Sequence, residues 1–404
     1  MKINLSITVF LILTISNTTF AQLTENLSRK VTLSVNTNIE TYFFAEKLAV
    51  EHIDNYVFCN KNTEYTHQPI VYFGLKEFMP WKDSPVILKI SEILRQLRDI
   101  QHDNQDQIIF LLYKKQFPQM GFRWSVPQDF LTTAEQRNPG TTKLFFELSD
   151  SLASFYKQAD IKKFLKQNIS FYKGALLEAK THINVKRIPY MEKWYGQEFA
   201  GYQIYLMPGM PIPPGEDNYR AFGPKLTSPK GEVATMVFST SIQLPLLSTL
   251  REYKNFGFDN KDVINLLTTH EFGHSFVNPY IDGMNSDILR DTALFTPSLK
   301  KSLESSYIDS WKSCLIEHLV RLGEIRIARF MKDKSEENRL RKMHENGFGF
   351  ILLPFLEKEI EKYEYNREQF PTFASFLPNL FQSLHKLTPA DIDALVERNN
   401  LLTK

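Results

Sequence analysis

The stretch that most constrains this chain is Thr269-His270-Glu271-Phe272-Gly273-His274-Ser275-Phe276. Its apolar neighbours Val263, Ile264, Leu266 and Leu267 recur at helical spacing, so the segment reads as an amphipathic helix. Asp259 is the expected N-cap, and Asn278-Pro279 the expected stop. Residues four apart on a helix lie one turn apart on one face, so His270 and His274 can aim two imidazoles at a single ion. Glu271 is rotated by about 100° from His270, too far round to be an equal third ligand. It can still reach a water beside such an ion and accept its proton. Burying three such groups with nothing between them would leave costly unpaired polar atoms, so the spacing points to a metal.

A catalytic zinc usually takes three protein ligands and keeps one position open. No histidine follows six residues after His274, where Tyr280 stands. The next acidic candidates lie on a helix expected over 309–331, whose core stripe is Trp311, Leu315, Leu319 and Leu322. Glu317 sits in its apolar middle, where a carboxylate needs a cation. Glu324 lies on nearly the same line, two turns on, in a more charged stretch with Arg326 and Arg329, and is the alternative ligand. Arg321, four residues from Glu317, is placed to hold that carboxylate, to face a substrate, or to form a plain intrahelical ion pair. His318 points about 100° away from Glu317 and reads either as a core or surface histidine or as a supporting donor. Tyr280 and Tyr307 are the candidate phenolic donors to a developing oxyanion.

Met1-Lys2, an apolar run of about 13 residues from Ile3 and the small residues around Thr19 and Ala21 read as a secretory signal over 1–21. The expectation is a mature chain starting at Gln22 and working outside the cytoplasm, secreted or periplasmic. No cysteine stands at the cleavage point, which argues against a lipid anchor. No later run approaches the roughly 20 apolar residues of a membrane span. A net charge of +2 gives no reason to expect nucleic acid. Cys59 and Cys314 either pair in an oxidising compartment or remain two buried thiols.

Taken in order, Val31 to Val35 reads as a strand and 38–51 as a helix capped by Asn38, with Phe43, Phe44, Leu48 and Ala49 inward. Further helices are expected over 68–78, 84–97, 141–156 and 160–182, and periodicity does not settle 105–116. The segment 22–190 is thus a mostly helical N-terminal region without a ligand or nucleophile cluster. From 191 to 404 the texture changes. Phe199 to Met207 and Gly231 to Thr240 read as strands, the second either an ordinary sheet strand or an edge that an extended peptide pairs with. A loop region is expected from Asp282 to about Pro297, and helices over 334–365 and 370–387 and from Thr388 onward.

The pattern His270-Glu271-x-x-His274 with a downstream Glu317 resembles the gluzincin metallopeptidases, the thermolysin-like clan, over about 130 residues. More closely, Asn36-Thr37-Asn38-Ile39-Glu40-Thr41, His270 to Phe276 and Glu317-His318-Leu319-Val320-Arg321 are similar to an uncharacterised family of secreted bacterial proteins suspected to be zinc peptidases. The resemblance implies an α+β fold, predominantly α-helical, with a zincin-like catalytic region, a small sheet and an active-site helix. It implies one Zn²⁺ per chain on His270, His274 and Glu317, with Glu271 as general base in hydrolysis of a peptide or protein substrate. Two departures stand out. Thermolysin-like enzymes carry an aspartate where this chain has Arg321, and the aminopeptidase Gly-x-Met-Glu-Asn strand is absent from Gly231 to Thr240. The rival readings are an extracytoplasmic binding protein with a vestigial metal site, and a metal hydrolase acting on a non-peptide amide.

Overall fold

The alternating and apolar runs of the sequence meet in one six-stranded mixed sheet flanked by helices. The computed structural model describes residues 23–54, 56, 59–100, 105–214, 219–240, 244–306 and 308–402. The segment 1–21, expected to be a secretory signal, and Tyr307 lie outside the described residues. Strands β1 (Thr24–Asn26) and β2 (Val31–Ser34) are antiparallel. β2 runs parallel to β3 (Gly201–Leu206), and β3 parallel to β6 (Gly231–Thr240). On the other side of β6, β4 (Tyr219–Phe222) and β5 (Lys225–Ser228) both pair with it antiparallel.

The free edge next to β6 therefore belongs to β4 and β5, not to β6 itself. Val233 through Ser239 are all buried, the unbroken interior that a strand paired on both flanks and covered on both faces requires. The boundary drawn at residue 190 also falls inside the sheet, because β2 from the N-terminal segment pairs with β3.

Seventeen helices of α type are seen among the described residues. The N-terminal segment supplies α1 (Thr37–Ala49), α2 (Pro69–Phe78), α3 (Pro85–Ile100), α4 (Gln105–Tyr113), α5 (Gln128–Arg137), α6 (Thr141–Gln158), α7 (Ile161–Gln167), α8 (Ile169–His182) and α9 (Ile188–Tyr195). After the sheet come α10 (Lys261–Asp282), α11 (Asn285–Arg290), α12 (Pro297–Ser302), α13 (Trp311–Phe330) and α14 (Lys334–Lys342). The chain closes with α15 (Leu353–Tyr365), α16 (Phe373–Leu384) and α17 (Pro389–Leu402). This is a predominantly α-helical α+β fold.

Every residue of α1 is buried. Its cap is Asn36, whose side chain accepts from the N–H groups of Asn38 and Ile39. Asn38 is spent elsewhere: it donates to the Leu111 and Lys115 carbonyls and accepts from the Phe117 N–H at 2.8 Å. Cys59 and Cys314 are separate buried free thiols. Among the described residues no helix is long and apolar enough to cross a membrane.

Candidate metal centre

Helix α10 carries the His-Glu-x-x-His stretch. Asn260, not Asp259, caps it by accepting from the Val263 N–H at 3.1 Å. The helix also runs through Pro279 to Asp282. A proline there denies a partner only to the carbonyl four residues back, that of Ser275, close to the end where carbonyls go unpaired anyway.

The residues between the ligands dock the helix. Phe272 packs edge-on against Tyr202 of β3, with centroids 5.0 Å apart. Phe276 stacks on Tyr195 of α9 at 4.3 Å. Gly273 lets α13 approach, since a Cβ there would lie 3.0 Å from Val320 Cγ1. Gly223, between β4 and β5, lets the edge strand cross the helix at Glu271. A Cβ at that position would sit 2.1 Å from the Glu271 carbonyl oxygen.

This docking brings His270, His274 and Glu317 together. One ligand atom from each lies within 4.8 Å of the others. The two Nε2 atoms are 3.2 Å apart, and Glu317 oxygens lie 3.6 Å and 3.5 Å from the His270 and His274 Nε2 atoms. Each imidazole is fixed from behind. The His270 Nδ1 lies 2.8 Å from Glu324 Oε1, and the His274 Nδ1 lies 3.1 Å from Asn278 Oδ1. Since a carboxylate and an amide oxygen only accept, both Nδ1 atoms carry the proton, and the Nε2 lone pairs turn inward. Two nitrogens and a carboxylate converging at these distances fit the three-ligand donor set of a catalytic-type zinc site.

Electrostatics sharpen the picture. Burial raises the Glu317 pKa, but Arg321, His270 and His274 outweigh it and hold the carboxyl down at about 2. Burial pushes His274 down to about 4. Burial and then Arg321 oppose protonation of His270, but its bond to Glu324 and the charges of Glu317 and Glu324 hold its pKa above the usual value. Burial pushes Glu271 up to about 7, with His270 pulling the other way. A cation at the focus would pull both histidines toward the neutral form. The Glu271 carboxylate takes no hydrogen-bond partner among the described residues, which leaves it free for a water or substrate.

The other sequence candidates separate. Glu324 is not a third ligand; it is buried and holds the His270 Nδ1. Arg321 donates to Glu317 and lies over the Phe350 ring, 4.1 Å from its centroid. His318 is a core residue: its Nδ1 donates to the Cys314 carbonyl at 2.8 Å, and its Nε2 accepts from the Leu352 N–H at 3.4 Å. Tyr280 spends its hydroxyl on Gln197 at 2.9 Å, so neither it nor His318 meets the centre.

Sequence reasoning missed Asn278, His344 and Tyr219. Asn278 was legible as the residue four beyond His274, but it reads first as part of a helix stop. His344 sits in a charged stretch with no local signal. Tyr219 lies in a turn-rich segment. Burial of its hydroxyl end raises its pKa and Arg321 opposes this, with smaller contributions from Glu271, Glu324 and Glu317, although 41 % of the residue is exposed. The phenol is thus coupled electrostatically to the charged groups of the candidate centre.

Fold and site together define an α+β protein with a histidine–histidine–glutamate cluster, built across two packed helices, that could hold a metal ion. Residues 137–383, more than half of the chain and all of the centre, match a domain of unknown function, DUF4932, and the chain belongs to that family. No curated protein and no solved structure matches it.

Proposed function

We propose that this protein is a zinc-dependent peptidase working outside the cytoplasm. The observation that carries the reading is the convergence of His270 Nε2, His274 Nε2 and a Glu317 oxygen within 4.8 Å, beside an unpartnered Glu271. His270, His274 and Glu317 would hold the ion, which when bound acidifies water and polarises a carbonyl. Glu271 accepts a proton from the attacking water on its carboxylate and returns it to the leaving nitrogen. Glu324 and Asn278 keep the two imidazoles in the tautomer that turns Nε2 inward.

The edge strand supports a peptide as substrate. Phe238 accepts from the Met207 N–H beside β3, so its neighbours Val237 and Ser239 turn their backbone groups toward β4. By the register they pair with Phe222 and Arg220. The N–H and C=O of Ala221 then point away from the sheet, and they have no partner among the described residues. On β5 the equivalent outward N–H, that of Thr227, is already taken by the Tyr113 hydroxyl at 2.8 Å. The open part of the edge is therefore the part that crosses α10 at Glu271, where an extended peptide adds as a further strand.

The test measures zinc by mass spectrometry and hydrolysis on a mixed peptide library. Wild type should carry one equivalent and cleave. Glu271→Gln should keep the zinc and lose about 10²–10⁴ in rate. Undiminished turnover by Glu271→Gln removes the general base. Zinc-loaded wild type that cleaves no peptide sinks the peptidase reading in favour of a binding protein or a hydrolase of another amide.

A further inference from the structure

Behind the candidate centre, one short turn reaches the supports of two different ligand candidates. Helix α14 runs into a π-helical turn, Met343–Gly347, closed by the Phe348 N–H on the Met343 carbonyl at 3.0 Å. Such turns are rare and recur at functional sites. His344 from this turn is 1 % exposed, and its Nε2 lies 2.9 Å from Glu324 Oε2. The other oxygen of the same carboxylate lies 2.8 Å from His270 Nδ1. Glu324 stands seven residues after Glu317 on α13, hence on the same face two turns away.

The same turn makes a second approach. The His344 carbonyl accepts the Phe350 N–H at 3.0 Å. Phe350 is fully buried, and its ring supports the Arg321 guanidinium, which donates to Glu317. Leu352 adds a longer contact, donating to His318 on α13 at 3.4 Å.

We infer that the segment 343–352 sets the geometry of the metal centre from behind, through His344 on Glu324 and so on His270, and through Phe350 on Arg321 and so on Glu317. The inference rests on the metal-centre reading. Its physical basis is that a buried carboxylate with one partner keeps a bare oxygen and a free rotation. With an N–H on each oxygen its plane is fixed, and so is the ring it holds. His344 and Phe350 are thus positioning residues. The packing role any buried side chain has would change overall stability but would not be routed through Glu324.

The experiment uses the full chain and measures Zn²⁺ affinity by competition with a chromophoric chelator, together with the absorption spectrum of bound Co²⁺. His344→Phe should weaken zinc about tenfold, and His344→Gln, which keeps a donor, should recover most of that loss. In a Glu324→Ala background, His344→Phe should change affinity no further, because the two act in one chain. Phe350→Leu, which tests the second route where the His344→Phe variant does not fold, should weaken zinc severalfold and shift the Co²⁺ bands. Wild-type affinity in folded His344→Phe or in Phe350→Leu overturns the corresponding route, and a His344→Phe loss that persists in full in the Glu324→Ala background overturns the chain. Wild type that binds no zinc at all sinks the metal-centre reading itself, a separate result.

Discussion

Two polar clusters in this molecule each set a glutamate beside an arginine, and they differ in what their lone pairs face. In the N-terminal half, Glu46 of α1 is fully buried and meets Arg220 of β4 through two contacts, at 3.0 Å and 3.3 Å. The Tyr56 and Tyr42 hydroxyls donate to the same carboxylate, and Phe43 lies under the guanidinium. Each charge there faces its opposite. At the other cluster, His270, His274 and Glu317 have their supporting partners behind them and turn their remaining acceptors toward one another. A cluster closed on itself holds the fold. A cluster whose acceptors converge is open to a guest. The two are also joined, since Arg220 lies on β4, which packs on α10, the helix that carries the open cluster.

The largest expected effect follows from breaking the closed cluster. Glu46→Gln leaves Arg220 buried without its counter-charge and should cost about 3–5 kcal/mol of stability. Urea unfolding should give the same loss with zinc and with chelator. A loss that vanishes without metal would mean the two clusters are not distinct in kind. Next in size is the guest itself. With free zinc at about a hundred times its Kd, the open cluster should gain about 2.7 kcal/mol, because the ion binds only the folded state. His274→Ala should erase that gain while leaving the stability of the chelated protein nearly unchanged. If chelation does not lower the wild-type melting temperature, the convergence of acceptors has been misread.

Much of the open cluster was legible in the chain. Two histidines four apart on a helix share a face by geometry alone, and a lone carboxylate in the apolar middle of α13 asks for a cation. The apolar setting of Glu317 singled it out over Glu324 as the ligand candidate, but the part Glu324 plays behind His270 was not legible. Both lie on one stripe of one helix, and only the height at which α13 crosses α10 decides which meets Nε2 and which meets Nδ1. Gly273 sets that approach, and Gly323 lets α13 meet α9, because a Cβ there would sit 2.2 Å from the Tyr195 hydroxyl.

The edge strand failed for a different reason. β4 and β5 are four residues each, separated by Gly223-Pro224, and owe their extended form to pairing with β6 rather than to any alternation of their own. The helix expected over 334–365 breaks where Gly349 takes a left-handed backbone, with φ of 74° and the Ser302 carbonyl 2.7 Å from the place of a Cβ. The expected helix over 160–182 breaks at Asn168, whose side chain turns back to donate to the Phe164 carbonyl at 2.9 Å. Contacts between distant segments decide the first two and a local side-chain bond the third, and periodicity within a window carries none of them.

The smallest effect separates a third kind of buried acid from the two clusters. Glu40 of α1 is fully buried; among the described residues no cation stands beside its carboxyl, which accepts one hydrogen bond, from the Gly209 N–H at 3.1 Å. Burial pushes its pKa from 4.5 up to about 8, against a lesser lowering by that bond. The folded state therefore holds its proton where the unfolded chain has released it. Its contribution to stability is fully present below about pH 4.5, falls as pH rises, and is lost by about pH 8. Between pH 5 and 7 the fall should be roughly 2 kcal/mol. Glu40→Gln cannot ionise and should remove that slope, leaving the variant more stable than wild type at pH 8 and close to it at pH 5. Comparing urea midpoints of the two proteins across this range isolates Glu40 from the other titrating groups, which both share. Parallel profiles would mean that the carboxylate finds water or a counter-charge when it ionises, and Glu40 would then belong with Glu46 among the buried acids that are compensated.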